Sequence, residues 1–84
     1  MDRTALVGAL RAAGLPDTVY WVEGVHEPAP TPPDFLYLRA VRPAGGAGGA
    51  WETGAFERGD WQPVARHDTE AAGCAHLRHL LLGD

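Results

Sequence analysis

The side chains best equipped for chemistry cluster near the end of the sequence: Cys74, His76 and His79. A thiolate and two imidazoles are the standard ligands of a transition metal, and a thiolate beside an imidazole is a nucleophile with its base. Spacing decides between these uses and a plain structural one. On a helix, side chains three or four residues apart face each other, whereas those two or five apart do not. Cys74 and His76 are separated by two residues and Cys74 and His79 by five, so only His76 and His79 could share an ion. No third ligand is placed to complete such a site. A core cysteine beside surface histidines fits the spacing better, because a free thiol commonly behaves as a small apolar side chain.

Two neighbouring pairs, His67–Asp68 and His26–Glu27, offer an imidazole with a carboxylate to orient it. No serine exists to be activated, and the remaining nucleophiles are Cys74 and a few threonines. The run Gly45-Gly46-Ala47-Gly48-Gly49 has the glycine content of a phosphate-binding loop. It lacks the lysine and hydroxyl that follow in such loops, and it sits between strand-like segments rather than before a helix. It reads as a linker. No enzyme, metal site or cofactor is expected from these residues.

The elements that would position these groups follow from periodicity. Leu6, Val7, Leu10 and Ala13 recur at helical spacing, so residues 2–13 are expected to form a helix, capped by Asp2 or Thr4 and stopped by Gly14 and Pro16. Residues 18–25 are rich in β-branched and aromatic side chains and read as a strand. Four prolines within residues 26–33 make an extended connector. Residues 34–42 form a second strand, and residues 43–50 a flexible loop. A third strand spans 51–58, with Gly54 as a bulge point, and Gly59-Asp60 is a tight turn in the type II′ manner. Residues 61–66 make a fourth strand, which Pro63 places at the sheet edge. The last helix starts at Asp68 or Thr69, carries Cys74, Leu77, Leu80 and Leu81 on one face, and stops at Gly83. The expectation is a single α+β domain over residues 1–84, α-β-β-β-β-α, an antiparallel meander with both helices packed on one face.

Composition narrows the partner class. The 84 residues carry a formal net charge of −4, and all seven basic residues are arginines scattered along the chain. A nucleic-acid ligand needs a clustered positive face, so none is expected. One cysteine excludes an internal disulfide and fits a reducing compartment. No secretion signal or membrane-spanning run is recognisable, and the expected location is the cytoplasm.

The strands carry large apolar residues on both faces. Tyr20 and Val22 alternate with Val19 and Trp21, while Phe35, Tyr37 and Val41 alternate with Leu36, Leu38 and Ala40. Two helices cover only one face well. Either loops fold over the other, or it stays open as a surface for a protein partner or a second copy of the chain.

Trp51, then Glu57-Arg58-Gly59, then Thr69-Glu70-x-x-x-Cys74-x-His76-Leu77 lie in order after Leu10-Arg11-Ala12-Ala13-Gly14-Leu15-Pro16 and Tyr20. This pattern resembles a family of small actinobacterial proteins encoded beside polymorphic toxins, some of the NAD-glycohydrolase type. The segments at 26–33 and 43–50 look like insertions relative to it. The resemblance implies an immunity role, in which a non-enzymatic protein binds and blocks a toxin domain. An acidic inhibitor presents carboxylates and aromatics to a basic cleft. The candidate contact residues are Glu23, Trp51, Glu52, Glu57, Arg58, Asp60 and Trp61. A self-associating structural or regulatory domain, forming a homodimer, is the alternative.

Overall fold

Helix α1 spans Arg3–Ala12, and the Asp2 side chain caps it by accepting a hydrogen bond from the Ala5 N–H at 2.7 Å. Leu6, Val7 and Leu10 form its buried stripe. The computed structural model describes residues 1–41 and 49–83. Among these residues four strands follow: β1 (Tyr20–Val22), β2 (Asp34–Val41), β3 (Ala50–Glu57) and β4 (Asp60–His67). Helix α2 spans Glu70–Leu82, with Thr69 as its cap and Gly83 closing it in the left-handed conformation. The end of β2 expected at Arg42 and the glycine loop at 43–48 lie outside the described residues.

The strands form one sheet in the order β1-β2-β3-β4. The expected α-β-β-β-β-α succession is present, but the sheet is mixed and not an antiparallel meander throughout. Strands β2, β3 and β4 are antiparallel, whereas β1 runs parallel to β2. The reason lies just after β1. The amides of Val25 and His26 both donate to the Val22 carbonyl, and the Val22 amide donates to the His26 carbonyl. These bonds reverse the chain along the outer edge of β1. Residues 27–33, at roughly 3.3 Å per extended residue, reach back past a strand of three residues. The proline connector is therefore a crossover. β1 is also shorter than the expected 18–25, because residues 23–26 are consumed by the turn.

The β3–β4 turn is corrected as well. Its two central residues are Arg58 and Gly59, with φ of 52° and 87°. Positive φ at both positions is the type I′ pattern that matches strand twist. Glu57 pairs with Asp60 directly across it. A register shift sits at Thr53/Gly54 as expected, and β4 lies at the sheet edge.

Two apolar clusters occupy opposite faces of the sheet. Leu6, Val7 and Leu10 of α1 pack with Cys74 and Leu77 of α2 on Tyr20, Val22 and Leu38. Strand alternation sends Trp21, Phe35, Tyr37, Phe56 and Trp61 to the other side, where they form a second cluster. Arg3 ties the helical layer together. Its backbone N–H and Nε both donate to Glu70 Oε2, at 2.9 and 3.0 Å, and its Nη1 donates to the Glu23 carbonyl at 2.6 Å. The same guanidinium lies 5.0 Å from the centre of the Trp51 ring. No helix among the described residues is long and apolar enough to cross a membrane.

Candidate functional site

The aromatic face is built rung by rung from the strand register. Phe35, Phe56 and Trp61 share one rung across β2, β3 and β4. Phe35 and Phe56 stack at 4.6 Å, and the Trp61 indole stands edge-on to both. Trp21 stacks on Phe35 from β1. On the next rung Tyr37 lies opposite Gly54. The Tyr37 hydroxyl crosses β3 over that glycine and donates to Glu52 Oε2 at 2.6 Å. Burial first, and then this hydrogen bond, raises the Tyr37 pKa well above that of a free phenol. Arg39 completes the arrangement. Its Nε donates to the same Glu52 oxygen at 3.0 Å, and its guanidinium lies 4.5 Å from the Trp61 ring centre.

These rings largely cover one another, so the sheet's second face is closed by its own side chains. Phe35 is 5% exposed and Tyr37 is fully buried, while Trp21 and Trp61 remain half-buried at the surface. Arg39, Glu52 and Arg66 follow on this face, Arg39 pairing with Glu52 and Glu52 with Arg66 in the register, so the charge alternates in sign from β2 to β4 at this end.

The opposite end of the sheet, at the β3–β4 hairpin, is different. Asp34, Glu57, Arg58 and Asp60 are all exposed and line one polar depression with Gln62. Among the described residues, none of these three carboxylates has a hydrogen-bonding or ion-pair partner. Beside it, and sharing Asp34 and Glu57, is a cavity of about 290 Å³ with apolar walls from Val19, Leu36, Ala55, Phe56 and Leu81.

The histidines find other partners than those their spacing suggested. The Thr53 hydroxyl, fully buried on the helical face, lies 2.6 Å from His76 Nδ1 and 3.0 Å from His67 Nε2. The two rings are 4.9 Å apart. One hydroxyl can donate to one imidazole and accept from the other, so the trio is satisfied when both rings are neutral. Desolvation, and then the nearby His67 and His79, lower the His76 pKa. His26 is buried, stacked on Tyr20, with Nε2 2.7 Å from the Asp17 carbonyl. Cys74 is fully buried, and burial, followed by the charge of Glu70, pushes its thiol up to about 11. Among the described residues no group of three or more His, Cys, Asp or Glu side chains could hold a metal ion.

The seven residues singled out from the sequence thus separate. Glu57, Arg58 and Asp60 come together at the hairpin, with Trp61 next to them on the aromatic face. Glu52 is on that face but only 2% exposed and engaged by Tyr37 and Arg39. Glu23 spends its carboxylate on the Ala40 amide. Trp51 packs against the helical core on the other side of the sheet. Asp34 and Arg39 were missed, although strand alternation already groups Arg39 with Phe35 and Tyr37. Asp34 had no such signal, because only strand pairing brings it opposite Glu57. No protein-family model, no curated protein and no solved structure matches the chain.

Proposed function

We propose that this chain is a non-enzymatic protein-binding domain whose contact surface is the hairpin end of the sheet. On this reading a partner meets the exposed carboxylates of Asp34, Glu57 and Asp60 together with the Trp61 and Trp21 edge of the aromatic face. The observation that supports it is the set of unpaired carboxylates bordering half-buried tryptophans on a face that neither helix covers. Exposed charge of one sign raises association rates with an oppositely charged partner, and half-buried tryptophans are frequent affinity anchors. The partner is therefore basic. The resemblance to toxin-associated proteins makes immunity, the neutralising of a cognate toxin domain, the form of binding we favour.

Co-purification with the product of the adjacent gene tests the proposal. Tight one-to-one binding that abolishes the neighbour's toxicity is expected, weakened at least tenfold by Glu57→Lys with Asp60→Lys. Both side chains are exposed, so the variant should keep its fold. A toxic neighbour that is not bound would sink the immunity role, and undiminished binding by the double variant would sink the surface.

One observation favours self-association instead. β4 is an open edge strand carrying Val64, 60% exposed. Pro63, Arg66 and the shift at Thr53/Gly54 are features that discourage edge-to-edge pairing. A concentration-dependent dimer in size-exclusion chromatography would nevertheless establish this second reading.

A further inference from the structure

The cavity at the hairpin end combines apolar walls with a charged mouth. It lies where the last turn of α2 passes over the ends of β2 and β3, with Leu36, Ala55 and Leu81 as walls and Asp34 and Glu57 at its mouth. At about 290 Å³, with mostly apolar walls and an open mouth, it has room for an apolar side chain. The mouth is negative. Among the described residues, Asp34, Glu57 and Asp60 line the adjoining depression with one cation, Arg58. Leu81 belongs to the C-terminal turn of α2, the end of a helix that carries partial negative charge.

We propose that this cavity is an anchor site for a peptide segment of a partner protein, an apolar side chain flanked by lysine or arginine. The inference rests on the protein-binding reading above and adds the recognition chemistry. The apolar group fills the space between Leu36, Ala55 and Leu81, which releases water from apolar surface. The flanking cations meet Asp34 and Glu57 on one side and Asp60 on the other. An acidic segment is disfavoured, because its carboxylates would meet these three with Arg58 alone to offset them.

The test is a nuclear magnetic resonance titration of the ¹⁵N-labelled chain with three capped peptides: Lys-Leu-Lys, Glu-Leu-Glu and Lys-Gly-Lys. Lys-Leu-Lys should shift the amides of Leu36, Ala55 and Leu81 and bind at least tenfold more tightly than either of the others. Ala55→Met, which places a longer side chain in the cavity, should weaken it at least tenfold. Asp34→Asn and Glu57→Gln change only exposed groups and should each weaken it by up to about fivefold, the range of an exposed ion pair. Equal binding of Glu-Leu-Glu, shifts confined to other residues, or no titration by any peptide would overturn the proposal. Failure of the wider reading looks different. A partner protein whose footprint includes Trp61 but omits Leu81 would remove the anchor while leaving a protein-binding domain. Peptide binding without any protein partner would keep the anchor and remove the domain's proposed role.

Discussion

Replacing Gly54 by alanine should damage the sheet far more than a methyl group ordinarily does. A Cβ at this position would overlap the carbonyl oxygen of Gln62 on β4 and stand 2.7 Å from the Tyr37 hydroxyl. Neither neighbour yields easily. The carbonyl is held by the β3–β4 register, and the hydroxyl is fixed by its bond to Glu52. If Tyr37 moves, a hydrogen bond to a charged group is lost, about 1.5–3 kcal/mol. Glu52, 2% exposed, then keeps only the Arg39 Nε. With the strand displacement added, the expected loss is about 3–5 kcal/mol. A domain of this size has only roughly 4–13 kcal/mol in total, so the variant should be marginal. Urea denaturation followed by tryptophan fluorescence measures the loss. Near-ultraviolet circular dichroism reports on Trp61, whose ring stands 4.7 Å from that of Tyr37. Gly8→Ala is the control. It is exposed within α1, nothing lies within 4 Å of its added methyl, and it should stabilise by about 1 kcal/mol. A Gly54→Ala protein within about 1 kcal/mol of the parent, with its aromatic dichroism intact, would refute the account of this face.

Acid should weaken the helix–sheet contact at Thr53. The folded-state pKa of His76 is depressed below the ordinary 6.5, so the unfolded chain takes up the proton first. Stability is then full above about pH 6.5 and falls as the pH drops from there to the depressed value. The loss is about 1.4 kcal/mol for each unit of depression, and His76→Gln should flatten this part of a urea-midpoint profile; an unchanged slope would remove His76 as its source. The buried Cys74 thiol, raised to about 11, should react with iodoacetamide only through opening of the fold. Its alkylation rate should therefore rise with urea, and rapid modification of the native chain would contradict the packing of α2.

Where local chemistry determines structure, the sequence was readable. Thr69, followed by a helical leucine pattern, marks α2, and the alternation of Phe35 and Tyr37 against Leu36 and Leu38 separates the two faces correctly. The direction of β1 was not readable, because it depends on three backbone hydrogen bonds around Val22 and His26 that no side-chain pattern announces. The same holds for the β3–β4 turn. Gly59 signalled a reversal, but only the pairing of Glu57 with Asp60 reveals that Arg58 shares the positive-φ positions. At the candidate site, Glu57, Arg58 and Asp60 were legible as a charged hairpin. Glu52 and Trp51 looked equally available, since whether a side chain on a strand meets solvent depends on what lies across the sheet. The Thr53–His67–His76 trio joins β3, β4 and α2, and spacing along one helix could not suggest it.

Arg3 has a consequence for how the chain acquires its shape. One side chain near the start bonds to Glu70 at the head of α2, to the end of β1 and to the face of Trp51. Each of these partners lies later in the chain than Arg3, Glu70 last of all. The apolar stripe of α1 can therefore meet Tyr20, Val22 and Leu38 early in synthesis, but its full set of partners exists only after the segment carrying Glu70 and Leu77 has been made.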